Sequence, residues 1–147
     1  MKIRRAQKGD AKIISELNIA LAKESEGILL DQETIFKGVS ALLSDEKKGI
    51  YFLAEENKMI IGQLMITVEW SDWRNKPIWW VQSVYVQKTW RRKGVFTRLL
   101  DEVIKMARQE RVALLRLYAH QNNTSALQVY EKSGWHLDHY VIYHHSL

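Results

Sequence analysis

Hydrophobic positions along this chain switch between stretches of period two and stretches of period near 3.6, which predicts strands and helices in mixed order. Met1 to Arg5 reads as a short strand. Gly9-Asp10 then supplies a turn and a helix N-cap, and Ile13, Leu17, Ala20 and Leu21 follow on one helical face. After a break at Glu26-Gly27, Asp31 caps a second helix whose Ile35, Val39, Leu42 and Leu43 share a face. Ile50 to Ala54 and Met59 to Glu69 read as strands joined by a tight hairpin at Glu56-Asn57-Lys58, with Leu64, Ile66 and Val68 alternating against Gln63, Met65 and Thr67. A loop with a polar centre, Ser71 to Pro77, leads to a strand over Ile78 to Val86. Thr97 to Glu110 is expected to be the longest helix. Val112 to Tyr118 is a near-continuous apolar strand, expected inside the sheet and parallel to the strand before that helix. Asn122 to Ser133 makes a further helix closed by Gly134, and Trp135 to His145 alternates loosely, which predicts two strands or one bent one. No repeat or linker divides the chain, so residues 1–147 are expected to form one α/β domain.

The other elements are organised around Ser83 to Leu100, SVYVQKTWRRKGVFTRLL. Val84, Tyr85 and Val86 suit an extended segment, Arg91, Arg92, Lys93 and Gly94 form a basic turn, and Phe96, Leu100, Val103 and Ala107 fall on one face of the helix that follows. The first N–H groups of a helix lack carbonyl partners and carry partial positive charge, so this turn suits a phosphate or pyrophosphate. Taken alone, a basic cluster before a helix fits a solvated surface equally well.

Composition narrows the classes. A chain of 147 residues with 46% apolar and 27% charged residues can bury a core without staples. It contains no cysteine, which excludes disulfides, a thiolate zinc site and a cysteine nucleophile, and fits a reducing cytoplasm. The start, MKIRRAQKGDAKII, lacks a signal-peptide core and no run approaches membrane-spanning length, so a cytoplasmic protein without a membrane partner is expected. The net charge of +5 favours anionic partners. Its basic residues are scattered (Lys2, Arg4 and Arg5; Lys47-Lys48; Arg91 to Lys93) and match no nucleic-acid-binding spacing, which favours a polyphosphate ligand over nucleic acid.

Arg91-Arg92-Lys93-Gly94-Val95-Phe96 resembles the acetyl-CoA pyrophosphate loop of the GNAT N-acetyltransferases: Gln or Arg, two residues, Gly, one residue, then Gly or Ala. Phe96 departs from the last position. Its side chain is expected to point into the core while its N–H faces phosphate. A second match is Asn123, Ala126, Tyr130 and Gly134, spaced Asn, two residues, Ala, three, Tyr, three, Gly, with aromatic Trp135 next. Asn123 and Tyr130 would lie on one helical face about 10 Å apart along the axis. The resemblance covers nearly the whole chain and implies a mixed, centrally splayed sheet flanked by helices on both faces. It implies acetyl-CoA as co-substrate and no metal. Arg91, Arg92, Lys93, Gly94, Val95, Phe96 and Thr97 would then bind phosphate, the backbone of Val84 and Val86 would pair with pantetheine, Asn123 would contact the cofactor arm, and Tyr130 would act as general acid toward its sulfur. A homodimer is also a habit of the family.

The reaction so implied is direct attack of a primary amine on the thioester. An amine of pKa near 10.4 is neutral in only ~0.04% of molecules at pH 7, so a base or desolvation must contribute. Glu69, near the end of its strand, is the first carboxylate candidate, with a solvated strand-end acid as its other reading; His120 is a weaker one. Four of six tryptophans lie in EWSDWRNKPIWW. They suit either hairpin packing or an acceptor wall in which Trp70, Asp72 and Trp73 hold a cation. The strand IWWVQSVYV resembles the diamine and thialysine branch of the family, but Gln82 and Ser83 stand where that branch has an acidic pair. The expected function is acetyl transfer to a small-molecule amine. Peptide or protein amines, and a CoA-binding module without catalysis, are the alternatives.

Overall fold

The computed structural model describes residues 1–147. Its five strands are β1 (Lys2–Arg5), β2 (Ile50–Glu56), β3 (Met59–Ser71), β4 (Lys76–Val86) and β5 (Leu115–Leu117), and its four α-helices are α1 (Ala11–Glu26), α2 (Gln32–Leu43), α3 (Val95–Gln109) and α4 (Thr124–Lys132). The sheet runs β1-β2-β3-β4-β5, antiparallel through β4 and parallel between β4 and β5.

Alternation along β2 explains the layering. Phe52 and Ala54 face α3 and pack with Leu64, Ile66, Trp79, Val81, Val95, Leu99 and Val103, whereas Tyr51 and Leu53 face Ala11, Ile14 and Val39 of α1 and α2. Both faces of β2 are therefore buried, and its sequence reads as a continuous apolar run. The two-residue hairpin between β2 and β3 places Asn57 and Lys58 at φ 49° and 65°, which matches the sheet's twist. Gly27 ends α1 in the left-handed region (φ 66°), and the Asp31 carboxylate accepts the Thr34 N–H to begin α2.

Several expectations need correction. Asp10 sits at the N-cap of α1, but its carboxylate is taken by Arg4 and the Gln7 N–H. At 16 residues α1 exceeds α3, which has 15 and starts at Val95. The loop expected from Ser71 to Pro77 shrinks to Asp72–Asn75 because the β3–β4 ladder reaches Ser71–Lys76. β5 is three half-buried residues at the sheet edge, where an interior strand was expected. Trp135 to His145 forms no strand; Leu137, Tyr140, Val141, Ile142 and Tyr143 are exposed and no ladder pairs them. Apolar alternation marks a segment fit for a strand, but a strand exists only where a neighbour supplies its hydrogen bonds. No helix is long and apolar enough to cross a membrane.

Candidate active site

β3 and β4 keep register from Ser71–Lys76 to Met65–Gln82, and then Gln63 faces Tyr85, so Ser83 and Val84 together oppose Leu64. The result is a β-bulge with Ser83 in the left-handed region at φ 49°. It coincides with a splay. β4 bonds β5 only at Trp79–Leu115, Trp80–Arg116 and Val81–Leu117, so from Gln82 onward this edge of β4 lacks a strand partner. A cleft of about 400 Å³ opens there between Val81–Val84 and the Tyr118-Ala119-His120 segment. Asn123 and Tyr130 line it, as do Asn18, Leu21 and Glu26 of α1 and Tyr51 of β2.

A buried polar chain supports the bulge. The Gln63 Nε2 donates to the Ser83 carbonyl (3.3 Å) and to Asn18 Oδ1 (2.9 Å), and Asn18 Nδ2 donates to the Tyr51 hydroxyl (2.9 Å). Gln63 is fully buried, and its Oε1 has no partner. An orphaned buried acceptor costs roughly 1–3 kcal/mol, a cost set against fixing the strand at the splay. In the sequence Gln63 is only one polar position of an alternating strand.

Beyond β4, the chain enters the basic turn. Gly94 takes φ 76°, and a Cβ placed on it would meet nothing within 4 Å, so the turn's surface is open. The first α3 bond runs from Arg98 N–H to Gly94 carbonyl at 3.0 Å, leaving the N–H groups of Val95, Phe96 and Thr97 without helical partners. The three cations differ. Arg91 donates to Glu24 (2.7 Å) and to the Val86 carbonyl (3.0 Å), and so ties the turn to α1 and β4. Lys93 lies over the Trp90 ring at 4.9 Å, and Arg92 is exposed in the left-handed region (φ 62°). Val95 is the residue that enters the core. Phe96, expected there, is half-buried and meets the Tyr130 ring edge-on at 5.6 Å. Glu24 also accepts from the Tyr85 hydroxyl at 2.8 Å. Burial alone would raise the Glu24 carboxyl, but the Arg91 and Tyr85 hydrogen bonds outweigh it and hold Glu24 below its ordinary value.

α4 completes the cleft. Asn123 is its N-cap, with Oδ1 accepting from Ala126 N–H (3.3 Å) and Ser125 Oγ (3.2 Å), so its Nδ2 is the free end. Tyr130 packs between Phe96 and Trp135, and burial raises its phenol above the ordinary 10. His120 Nδ1 accepts the Asn122 N–H at 3.2 Å, which puts the proton of the neutral ring on Nε2.

Residues 16–135 match the acetyltransferase (GNAT) family. The chain belongs to that family. As a GNAT protein it is an acetyl-CoA-dependent N-acetyltransferase. Its fold is similar to that of a possible acetyltransferase from Clostridium difficile 630, at 39% identity and TM-score 0.93 over 99% of this chain and 97% of that one. It also resembles the fold of a Clostridium acetobutylicum protein described as a predicted acetyltransferase with acetyl-CoA (20% identity, TM-score 0.79, 97% and 95% covered). A ribosomal-protein-alanine N-acetyltransferase from Brucella melitensis biovar Abortus 2308 shares the fold too (17% identity, TM-score 0.81, 100% of both chains covered). No curated protein matches the sequence.

The residues of this GNAT domain fit acetyl-CoA: an open turn of unpartnered N–H groups with two available cations, and an unpaired edge of β4 leading from it. Val84 lines the cleft, and Val86 pairs with Gly62 beside the turn. Glu69 is not brought to this place. It faces Ile78, five residues along β3 from the bulge position at Leu64, or roughly 17 Å at about 3.3 Å per residue, and it pairs with Arg116 at 3.4 Å. Trp70, Asp72 and Trp73 stand at the far hairpin end, where Trp70 and Trp73 are 62% and 86% exposed. Among residues lining the cleft, the one acid is Glu26 at the end of α1, which sequence reasoning had read only as part of a helix break.

Proposed function

We propose that this protein acetylates a primary amine on a small molecule, by direct attack within a ternary complex in the splayed cleft. The observation that carries the reading is that the unpaired β4 edge and Tyr130 line one cleft of about 400 Å³, with the phosphate-ready turn next to it through the Phe96–Tyr130 contact and the Arg91 bond to the Val86 carbonyl. Arg92, Lys93 and the N–H groups of Val95, Phe96 and Thr97 hold the pyrophosphate, while Arg91 fixes the turn through Glu24. Asn123 Nδ2 and the backbone at Val84 orient the pantetheine arm. Acetyl-CoA, when bound, supplies an activated acetyl thioester. Tyr130 keeps its proton at neutral pH and donates it, as a hydrogen bond or outright, at the sulfur. Glu26 draws the protonated amine into the cleft and is the carboxylate placed to take its proton, in place of Glu69.

The size of the cleft and its apolar lining by Leu21, Ala22, Leu30 and Ile35 of the α1–α2 region support a small acceptor over a protein tail. The test is acetyl-CoA-dependent thiol release against diamines, polyamines, amino acids, amino-acid amides, aminoglycosides and peptide N-termini. Release with small amines is expected. Release with peptides alone would replace the small-molecule reading, and acetyl-CoA binding without release from any amine would leave a binding module.

A further inference from the structure

The buried polar chain ends in a donor that no protein group uses. The Ser83 carbonyl can only accept, so the side-chain nitrogen of Gln63 must face it. The same nitrogen reaches Asn18 at 2.9 Å, which makes the facing Asn18 atom its oxygen and turns its nitrogen toward Tyr51. Tyr51 therefore accepts from Asn18 and keeps its own O–H free. No protein acceptor takes that proton, although Tyr51 is only 4% exposed and lines the cleft. A hydroxyl oriented this way through three successive side chains is a fixed donor facing the acceptor space.

We propose that the Tyr51 hydroxyl is a specificity-determining donor that recognises an uncharged oxygen, carbonyl or hydroxyl, next to the amine of the acceptor. The inference rests on the acetyl-transfer reading and narrows its substrate class. The oxygen is uncharged because no lysine or arginine lines the cleft and its one acidic side chain is Glu26, so a carboxylate beside Tyr51 would be left unpaired. Leu21, Leu30 and Ile35 offer no competing polar partner. Gln63 and Asn18 are positioning residues: they act by denying Tyr51 any internal acceptor.

The experiment compares shape-matched acceptors, glycinamide against isobutylamine and 2-aminoethanol against propylamine, as ratios of kcat/KM in thiol release. Because each ratio is compared between proteins, the intrinsic reactivity of the amines cancels. Tyr51→Phe should lower the preference for the oxygen-bearing member by roughly ten- to a hundredfold with the KM for acetyl-CoA unchanged. Asn18→Asp should do the same with Tyr51 in place, because the new carboxylate accepts its O–H. Binding of the same four probes to the CoA complex, measured by calorimetry, runs alongside. Ratios unchanged in both variants overturn the proposal while leaving acetyl transfer intact. Should no amine be acetylated, the functional reading fails and the binding ratios decide: a preference lost in both variants supports Tyr51 as the donor, and no preference in the unmodified protein refutes it.

Discussion

Tyr130→Phe isolates the proposed acid. The phenol hydroxyl makes no hydrogen bond inside the protein, and its ring contacts, with Phe96 at 5.6 Å and Trp135 at 6.1 Å, survive the substitution. Stability should therefore be nearly unchanged, since the hydroxyl being removed makes no internal bond and Tyr130 is only half-buried. The kinetic effect follows from the raised phenol pKa. Proton transfer from an acid above 10 to a thiolate near 8.5 is uphill by at least ~1.5 pK units, or about 2 kcal/mol, so the hydroxyl acts mainly as a hydrogen bond in the transition state. The loss in kcat should then lie near the lower end for acid catalysis, ~10²-fold, or about 3 kcal/mol of barrier. Steady-state thiol release gives kcat, single-turnover quench shows that chemistry limits it, and calorimetry gives acetyl-CoA affinity, expected to stay within about twofold of the parent. The raised pKa also places any alkaline loss of rate due to Tyr130 above pH 10. A kcat within twofold of the parent, with chemistry limiting, refutes the acid role.

Other perturbations separate the parts of the site. Gly62→Ala would bring a Cβ to 3.0 Å from Val95 Cγ1 and 3.1 Å from the Tyr85 carbonyl, so it should push the start of α3 outward and raise the KM for acetyl-CoA several-fold with little change in the acceptor KM. Glu69→Gln should leave kcat and both KM values within twofold, because Glu69 pairs with Arg116 away from the cleft; a tenfold loss of kcat would return it to the mechanism. Glu24 is held below its ordinary 4.5, so the stability it contributes is present above that value and lost as pH falls through its folded pKa. The Tm gap between the parent and Glu24→Gln should accordingly shrink from pH 5 to pH 3, and a constant gap would dissociate Glu24 from the tie to Arg91.

Local chemistry decided which expectations held. The hairpin at Asn57-Lys58, the caps at Gly27 and Asp31 and the helix end at Gly134 follow from backbone preferences of single residues, which a sequence displays directly. The basic turn and the Asn123–Tyr130 spacing were legible for the same reason: each needs only a short run of residue types; Asn123 and Tyr130 line the cleft at the splay, and Phe96 of the turn packs on Tyr130. Glu69 illustrates the opposite case. Its distance from Tyr130 depends on where the β3–β4 ladder slips, and the slip lies at Ser83, a serine with no composition signal for φ 49°.

The same slip explains why the polar half of the site was hidden. Without the bulge, every second β4 residue would keep one face to its end; with it, Val84 and Val86 return to the α3 side and Tyr85 turns to Glu24. The bulge holds because Gln63, fully buried, donates to the Ser83 carbonyl, and Gln63 is held in turn by Asn18 from α1. Residues 18, 51, 63 and 83 belong to four elements, so no spacing along the chain relates them. One physical chain nevertheless joins the strand edge proposed to carry the thioester to the hydroxyl proposed to choose the acceptor. Changing Gln63 should therefore disturb cofactor alignment and acceptor preference together, whereas Tyr51→Phe should change preference alone.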